Sequence, residues 1–145
     1  MSRRGLRLRA VDAEDVAMLS AMLQDALIEL PQLVFDKPRK RFGGYLIRFC
    51  HEERDPPGSA MRQVKCTLAF DAVTGVRVRG LDPTAPLPVE LLALSTETGD
   101  DPRHATLHFA GGGTLRVDFD RVAVRLEDIG DPWITGIVPR HESGR

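Results

Sequence analysis

The sequence predicts an α+β domain that is predominantly antiparallel β-sheet, a meander of hairpins able to curl into a partly open barrel, with one N-terminal helix packed on it. Three observations carry that expectation. Apolar and polar residues alternate with a period of two through most of residues 64–126. Polar or glycine-rich turns separate neighbouring runs of this kind, at residues 36–41 and 111–113. Only the stretch after Asp12 repeats its apolar residues at spacings of three and four.

Taken in order, Leu6-Arg7-Leu8-Arg9-Ala10 alternates as a strand with one buried face. Asp12 is a good helix cap, and Asp15 stands at the third helical position as an acidic variant of the capping box. Val16, Leu19, Met22 and Leu23 then form one apolar stripe. Residues 25–30 could extend that helix to Pro31. The alternation of Ala26, Ile28 and Leu30 favours a strand that pairs with the segment following it.

Leu33-Val34-Phe35 and residues 42–49 flank the polar turn and predict a hairpin, in which Gly43-Gly44 marks a bulge or a close backbone approach. Residues 51–62, with Pro56-Pro57-Gly58, read as a surface loop. Val64, Cys66, Leu68 and Phe70 alternate as a strand, as do Val76 and Val78 with Arg77 and Arg79. Three prolines make residues 82–88 a connection. The continuous run 90–95 suits a strand in mid-sheet covered on both faces. Leu107 and Phe109 pair with Leu115, Val117 and Phe119 around Gly111-Gly112-Gly113. The apolar phase then flips to Val122, Val124 and Leu126, which requires a turn or bulge at Asp120-Arg121. The chain reads as one domain over 1–145, with an ordered core of about 6–135 and frayed ends.

Composition narrows the function. The 145 residues are 42% hydrophobic and 28% charged, ordinary for a globular protein. No apolar run reaches a membrane span, and Leu-Arg alternation after Arg3-Arg4 replaces a signal core, so a cytoplasmic location without membrane association is expected. The net charge of −1 gives no general attraction to nucleic acid, and nucleic acid is not an expected partner. Cys50 and Cys66 lack the spacing of a zinc site, and Cys66 falls in phase with the apolar positions of its strand, as a buried inert thiol would.

Several segments resemble a family found chiefly in alphaproteobacteria and described as domain of unknown function 2948. They are Asp12-Ala13-Glu14-Asp15, Leu23-Gln24-Asp25-Ala26, Lys40-Arg41-Phe42 with Arg48-Phe49, Phe109-Ala110-Gly111-Gly112-Gly113, and Leu126-Glu127-Asp128-Ile129-Gly130-Asp131-Pro132-Trp133. The triple glycine and the tryptophan-containing ending are the more specific parts. Gly43-Gly44 departs from the bulkier β-formers expected there. The resemblance implies a bacterial intracellular protein of this fold and transfers no activity or site residue.

Each candidate for chemistry has a plainer reading beside it. The triple glycine precedes a strand, not the helix a phosphate loop needs, so it reads as a hairpin. His104 and His108 would lie about 13 Å apart on a strand, too far for one metal. Asp118 and Asp120 share a strand face and read as solvated charges before an acid/base pair. Ser20 and Ser95 lack the flanking glycines of a nucleophile elbow. Lys37, Arg39, Lys40 and Arg41 crowd one turn, and would bind anions if Arg7 and Arg9 adjoined them. Trp133 either caps an open end of the core or anchors an interface.

The expected function is therefore a non-enzymatic binding or assembly module, with no cofactor and no metal, acting on a protein partner or as a homo-oligomer. Two alternatives stand beside it. One is an anion or nucleic-acid binder using the 37–41 turn. The other is an enzyme whose site, around Asp118, Asp120 and His108, is assembled from separate strands.

Overall fold

A computed structural model describes residues 5–53 and 61–134. Asp12 caps helix α1 (Ala13–Leu23) by accepting the Asp15 amide at 2.8 Å, while the Asp15 carboxylate accepts the Val11 amide at 3.0 Å. Val16, Leu19 and Leu23 are buried along one face. The helix stops because Gln24 turns extended and Asp25 takes a φ of 69°. The strand expected over 25–30 shrinks to β2 (Leu27–Ile28), followed by a 3₁₀ turn at Leu30–Gln32 that carries Pro31 in its first positions. Ala26, Ile28 and Leu30 are nonetheless buried in alternation. β2 pairs with two strands distant in sequence rather than with its successor.

Ahead of the helix lies β1 (Arg7–Ala10). After the 3₁₀ turn, β3 (Val34–Asp36) and β4 (Arg41–Phe49) form the expected hairpin, with Phe35 opposite Phe42. Then come β5 (Arg62–Phe70), β6 (Val73–Arg79), β7 (Val89–Thr96), β8 (His104–Phe109), β9 (Thr114–Phe119) and β10 (Val124–Ile134). Every pairing is antiparallel. The sheet order is β1-β10-β5-β4-β2-β7-β8-β9-β6, with β3 beside β4. It stays open, with β1 and β6 at its ends, and does not close into a barrel. Only β3–β4–β5 and β7–β8–β9 run as meanders.

Two elements differ instructively from expectation. β7 does lie in mid-sheet, between β2 and β8, but Leu92 is 46% exposed. A one-residue register shift between Leu91 and Ala93 lets Leu91 and Leu94 both face the core, which turns alternation into a continuous apolar run. The phase flip after Phe119 reflects more than a local slip. At Asp120 the chain leaves β9 and crosses to the other half of the sheet, where β10 lies between β1 and β5. At the hairpin tip, Gly111 and Gly112 have φ of 92° and 95°, which explains the glycine there.

Both halves of the sheet contribute to one core. Leu46, Leu68, Phe70 and Leu126 from one half meet Leu91, Leu107, Phe109 and Val117 from the other, together with the buried stripe of α1. Ser20 of α1 accepts the Leu94 amide at 3.0 Å and fixes the helix to β7. Among the described residues no helix is long and apolar enough to cross a membrane.

Candidate functional site: a groove on the outer sheet face

In β4 the even residues Phe42, Leu46, Arg48 and Cys50 are buried, so Tyr45, Ile47 and Phe49 point to the opposite, outer face. Register then arranges the outer face in rows. Ile129 of β10, Lys65 of β5, Ile47 of β4 and Leu27 of β2 are successive cross-strand partners, and Glu90 of β7 comes next. A second row joins Trp133, Gln63 and Phe49. Ile129, Lys65, Ile47, Leu27, Gln63 and Trp133, with Tyr45, floor a groove of about 920 Å³, within the size range of ligand sites. The Lys65 ammonium lies 4.9 Å from the centre of the Tyr45 ring.

Both sides of the groove have causes in the sequence. On one side, β10 loses register with β5 between Ile129 and Trp133, where Gly130 has a φ of 72°. Gly130, Asp131 and Pro132 stand opposite Val64 alone, two residues in excess; Gly130 and Asp131 line the groove, and Trp133 resumes pairing with Gln63. On the other side stand Glu29, Gln32 and Pro88. Gly44 permits this side: a β-carbon there would strike the Gln32 carbonyl, so only glycine lets the 3₁₀ turn lie so close. A smaller hollow of about 350 Å³, lined by Asp25, Leu27, Phe49, His51, Met61 and Glu90, shares Leu27, Phe49 and Glu90 with the two rows. There the Glu90 carboxyl is held above its ordinary range by hydrogen bonding to Asp25.

The opposite face of these strands holds a buried ionic cluster. The Arg48 side chain has no solvent exposure, nor does that of Asp128. Arg48 Nε and Nη2 donate to the Asp128 carboxylate at 2.9 Å each, Nη1 and Nη2 donate to Glu52 at 3.0 and 2.8 Å, and Nη1 also reaches the Phe49 carbonyl. All five guanidinium donors are thus engaged. The Leu6 amide adds a bond to Asp128 at 3.0 Å. Burial alone would discharge Arg48, but its carboxylate partners raise its pKa instead. Cys50 and Cys66 are both buried, and burial pushes the Cys66 thiol up. With every guanidinium donor satisfied, the cluster ties β4, β10 and the Glu52 turn together and leaves no donor for a ligand.

The remaining sequence candidates separate. Arg39 pairs with Asp36 at 3.2 Å, Lys40 with Asp120 at 3.3 Å, and Arg41 with Asp71 at 2.9 Å. Arg9 does adjoin this region, since it is the register partner of Arg125, and Arg125 shares Asp71 with Arg41. Arg7 is paired with Glu127. Asp118 lies between Arg116 and Arg77, and Asp120 pairs with Lys40, so the two aspartates have different cation partners. His104 contacts Glu97 at 3.2 Å. His108 bonds the Ser95 hydroxyl at 2.8 Å, a serine–histidine contact that the sequence did not signal. It is exposed, and among the described residues no carboxylate orients the histidine as the third member of a hydrolytic triad would. Among the described residues no group of histidine, cysteine, aspartate and glutamate could hold a metal ion. Trp133 does not cap the core; it lies half-buried along the groove.

A family model described as protein of unknown function (DUF2948) matches residues 6–141. The chain belongs to the DUF2948 family. The match begins ahead of β1 and runs past the end of β10, so it includes every strand that floors the groove of this DUF2948 protein. No curated protein and no solved structure matches the chain. Of the groove residues, sequence reasoning singled out only Trp133. The signal for the others was present in β4, where Phe42, Leu46, Tyr45, Ile47 and Phe49 are apolar or aromatic at both parities, as in a strand whose two faces both meet something.

Proposed function

We propose that the protein is a non-enzymatic binding module of the bacterial cytoplasm, and that its groove takes a segment of another protein chain. One observation supports this above the rest: Tyr45 and Ile129, 47% and 41% exposed, join Ile47, Leu27 and Trp133 around Lys65 and Gln63 in one largely apolar floor. Contiguous exposed apolar surface of this kind marks interaction sites, and tryptophan and tyrosine are favoured anchors there. The length of the floor, continued by the smaller hollow, suits a chain segment better than a compact metabolite.

Selection from a displayed random-peptide library tests the reading. Enriched peptides should carry aliphatic or aromatic residues and bind at least tenfold more weakly to Ile47→Ser than to the unaltered protein, at unchanged melting temperature. Equal binding to Ile47→Ser, or no enrichment at all, would refute it.

Anion binding by Lys37, Arg39, Lys40 and Arg41 is the second reading. The adjacency of Arg9, Arg125 and Arg41 favours it, while Asp36, Asp71 and Asp120 offset much of the charge. It requires salt-sensitive retention on phosphate resin that charge reversal of Arg39 and Arg41 abolishes. Unchanged retention would dismiss it.

A further inference from the structure

The pairing of carboxylates across the sheet has a pattern. Asp36 is matched by Arg39, Asp118 by Arg116, Glu127 by Arg7 and Asp128 by Arg48. These are the strand carboxylates away from the groove, and each has a cation. The two remaining strand carboxylates, Glu90 and Asp131, have none among the described residues. Both border the groove or its adjoining hollow, and Glu29, also without a cation, stands on the groove's far side. The cation within the floor, Lys65, is turned onto the Tyr45 ring. A floor that is apolar apart from Lys65 and Gln63 thus lies between two negative sides.

We infer that the occupant is an extended protein segment in which an aliphatic stretch is flanked by a basic residue at each end. This rests on the proposed groove reading and names the chemistry of its partner. The floor row Ile129–Lys65–Ile47–Leu27 crosses three strand spacings, or about 14 Å. On an extended chain, residues i and i+4 are about 13 Å apart and project to the same side. Basic side chains at that spacing reach Asp131 on one side and Glu29, with Glu90 beyond it, on the other. The residues between them cover Ile47, Ile129 and Trp133. Asp25 lines the same hollow as Glu90, so a cation that reaches Glu90 meets a second acidic residue there. Charge complementarity of this kind sets partner choice and orientation more than affinity, so discrimination between charges is the property to measure.

The test is calorimetric titration with acetyl-Lys-Val-Ile-Val-Lys-amide, its Glu-Val-Ile-Val-Glu counterpart, and spermine, with Trp133 emission recorded in parallel. The lysine peptide should bind at least tenfold tighter than the glutamate peptide, weaken as salt rises, and shift the emission of Trp133, the sole tryptophan. Asp131→Asn and Glu29→Gln, both exposed positions, should each lower its affinity several-fold and leave folding intact. Equal binding of the two peptides would overturn the charge inference while leaving the groove reading in place. Binding of spermine as tight as the lysine peptide would overturn the protein-segment assignment. If library-selected peptides bind through Ile47 while the lysine peptide does not bind, the inference fails and the proposed function survives.

Discussion

At the scale of single residues, Arg48 is the group on which the fold places most charge. Replacing it with methionine leaves Asp128 buried with an uncompensated charge, and is expected to cost about 3–5 kcal/mol in urea unfolding. Adding Asp128→Leu should recover a large part of that loss, because an apolar pair of similar volume replaces a desolvated ionic one. Glu52 offers the pH signature. Burial opposes its charge, yet the Arg48 hydrogen bonds win and hold its carboxyl below the ordinary range. A lowered native pKa means its contribution is complete above about pH 4.3 and is lost as pH falls through the lower native value. The stability gap between the unaltered protein and Glu52→Gln should therefore be open at pH 6 and narrow by pH 3; a constant gap would contradict the assignment. Ala72 poses a backbone question, with a φ of 58° at the β5–β6 corner. Left-handed geometry disfavours alanine by about 1–2 kcal/mol, so Ala72→Gly should raise stability by up to about 1 kcal/mol in the same urea assay. Much of this scale was legible. Arg48 falls in phase with Leu46 and Cys50, and Asp128 with Val124 and Leu126, a buried-face signal that the reading of the sequence left unused. That they meet depends on β5 lying between β4 and β10, which no local pattern encodes.

Secondary-structure elements show where reading by period succeeds and fails. Clean alternation in β5, β8 and β9 gave the right strands because each has one buried face and regular pairing. Residues 25–30 and β7 misled because backbone irregularities, a 3₁₀ turn at Pro31 and a bulge at Leu92, rotate side chains without altering composition. The Gly43-Gly44 pair was open between bulge and close approach, and proves to be the latter at both residues. A β-carbon at Gly44 would strike the Gln32 carbonyl, and one at Gly43 the Leu68 carbonyl. Each alanine substitution is expected to cost about 1–3 kcal/mol from overpacking. The two should differ in function. Gly44→Ala displaces the groove side at Gln32 and should weaken peptide binding, whereas Gly43→Ala pushes on β5 and should affect thermal stability more than affinity. Melting curves and peptide titrations on both variants separate these effects.

Across the whole molecule, one sheet uses its two faces differently. The inner face, with α1, forms a continuous core across both halves, and the outer face of β10, β5, β4 and β2 carries a second, largely apolar surface. The first was evident from the sequence, since a two-residue period marks whatever is buried. The second was not, because its members come from four strands and meet only through a sheet order that sets β10 beside β5 and β2 beside β4. Binding at the groove, at the 37–41 turn and at the Ser95–His108 face are spatially distinct outcomes, so location decides among them. The measurement that does this is the backbone amide spectrum of the isotope-labelled protein titrated with a library-selected peptide. Shifts are expected to gather at residues 27–32, 45–47, 63–65 and 129–133. Shifts confined to residues 37–41, or to β8 and β9, would contradict the groove as the binding site.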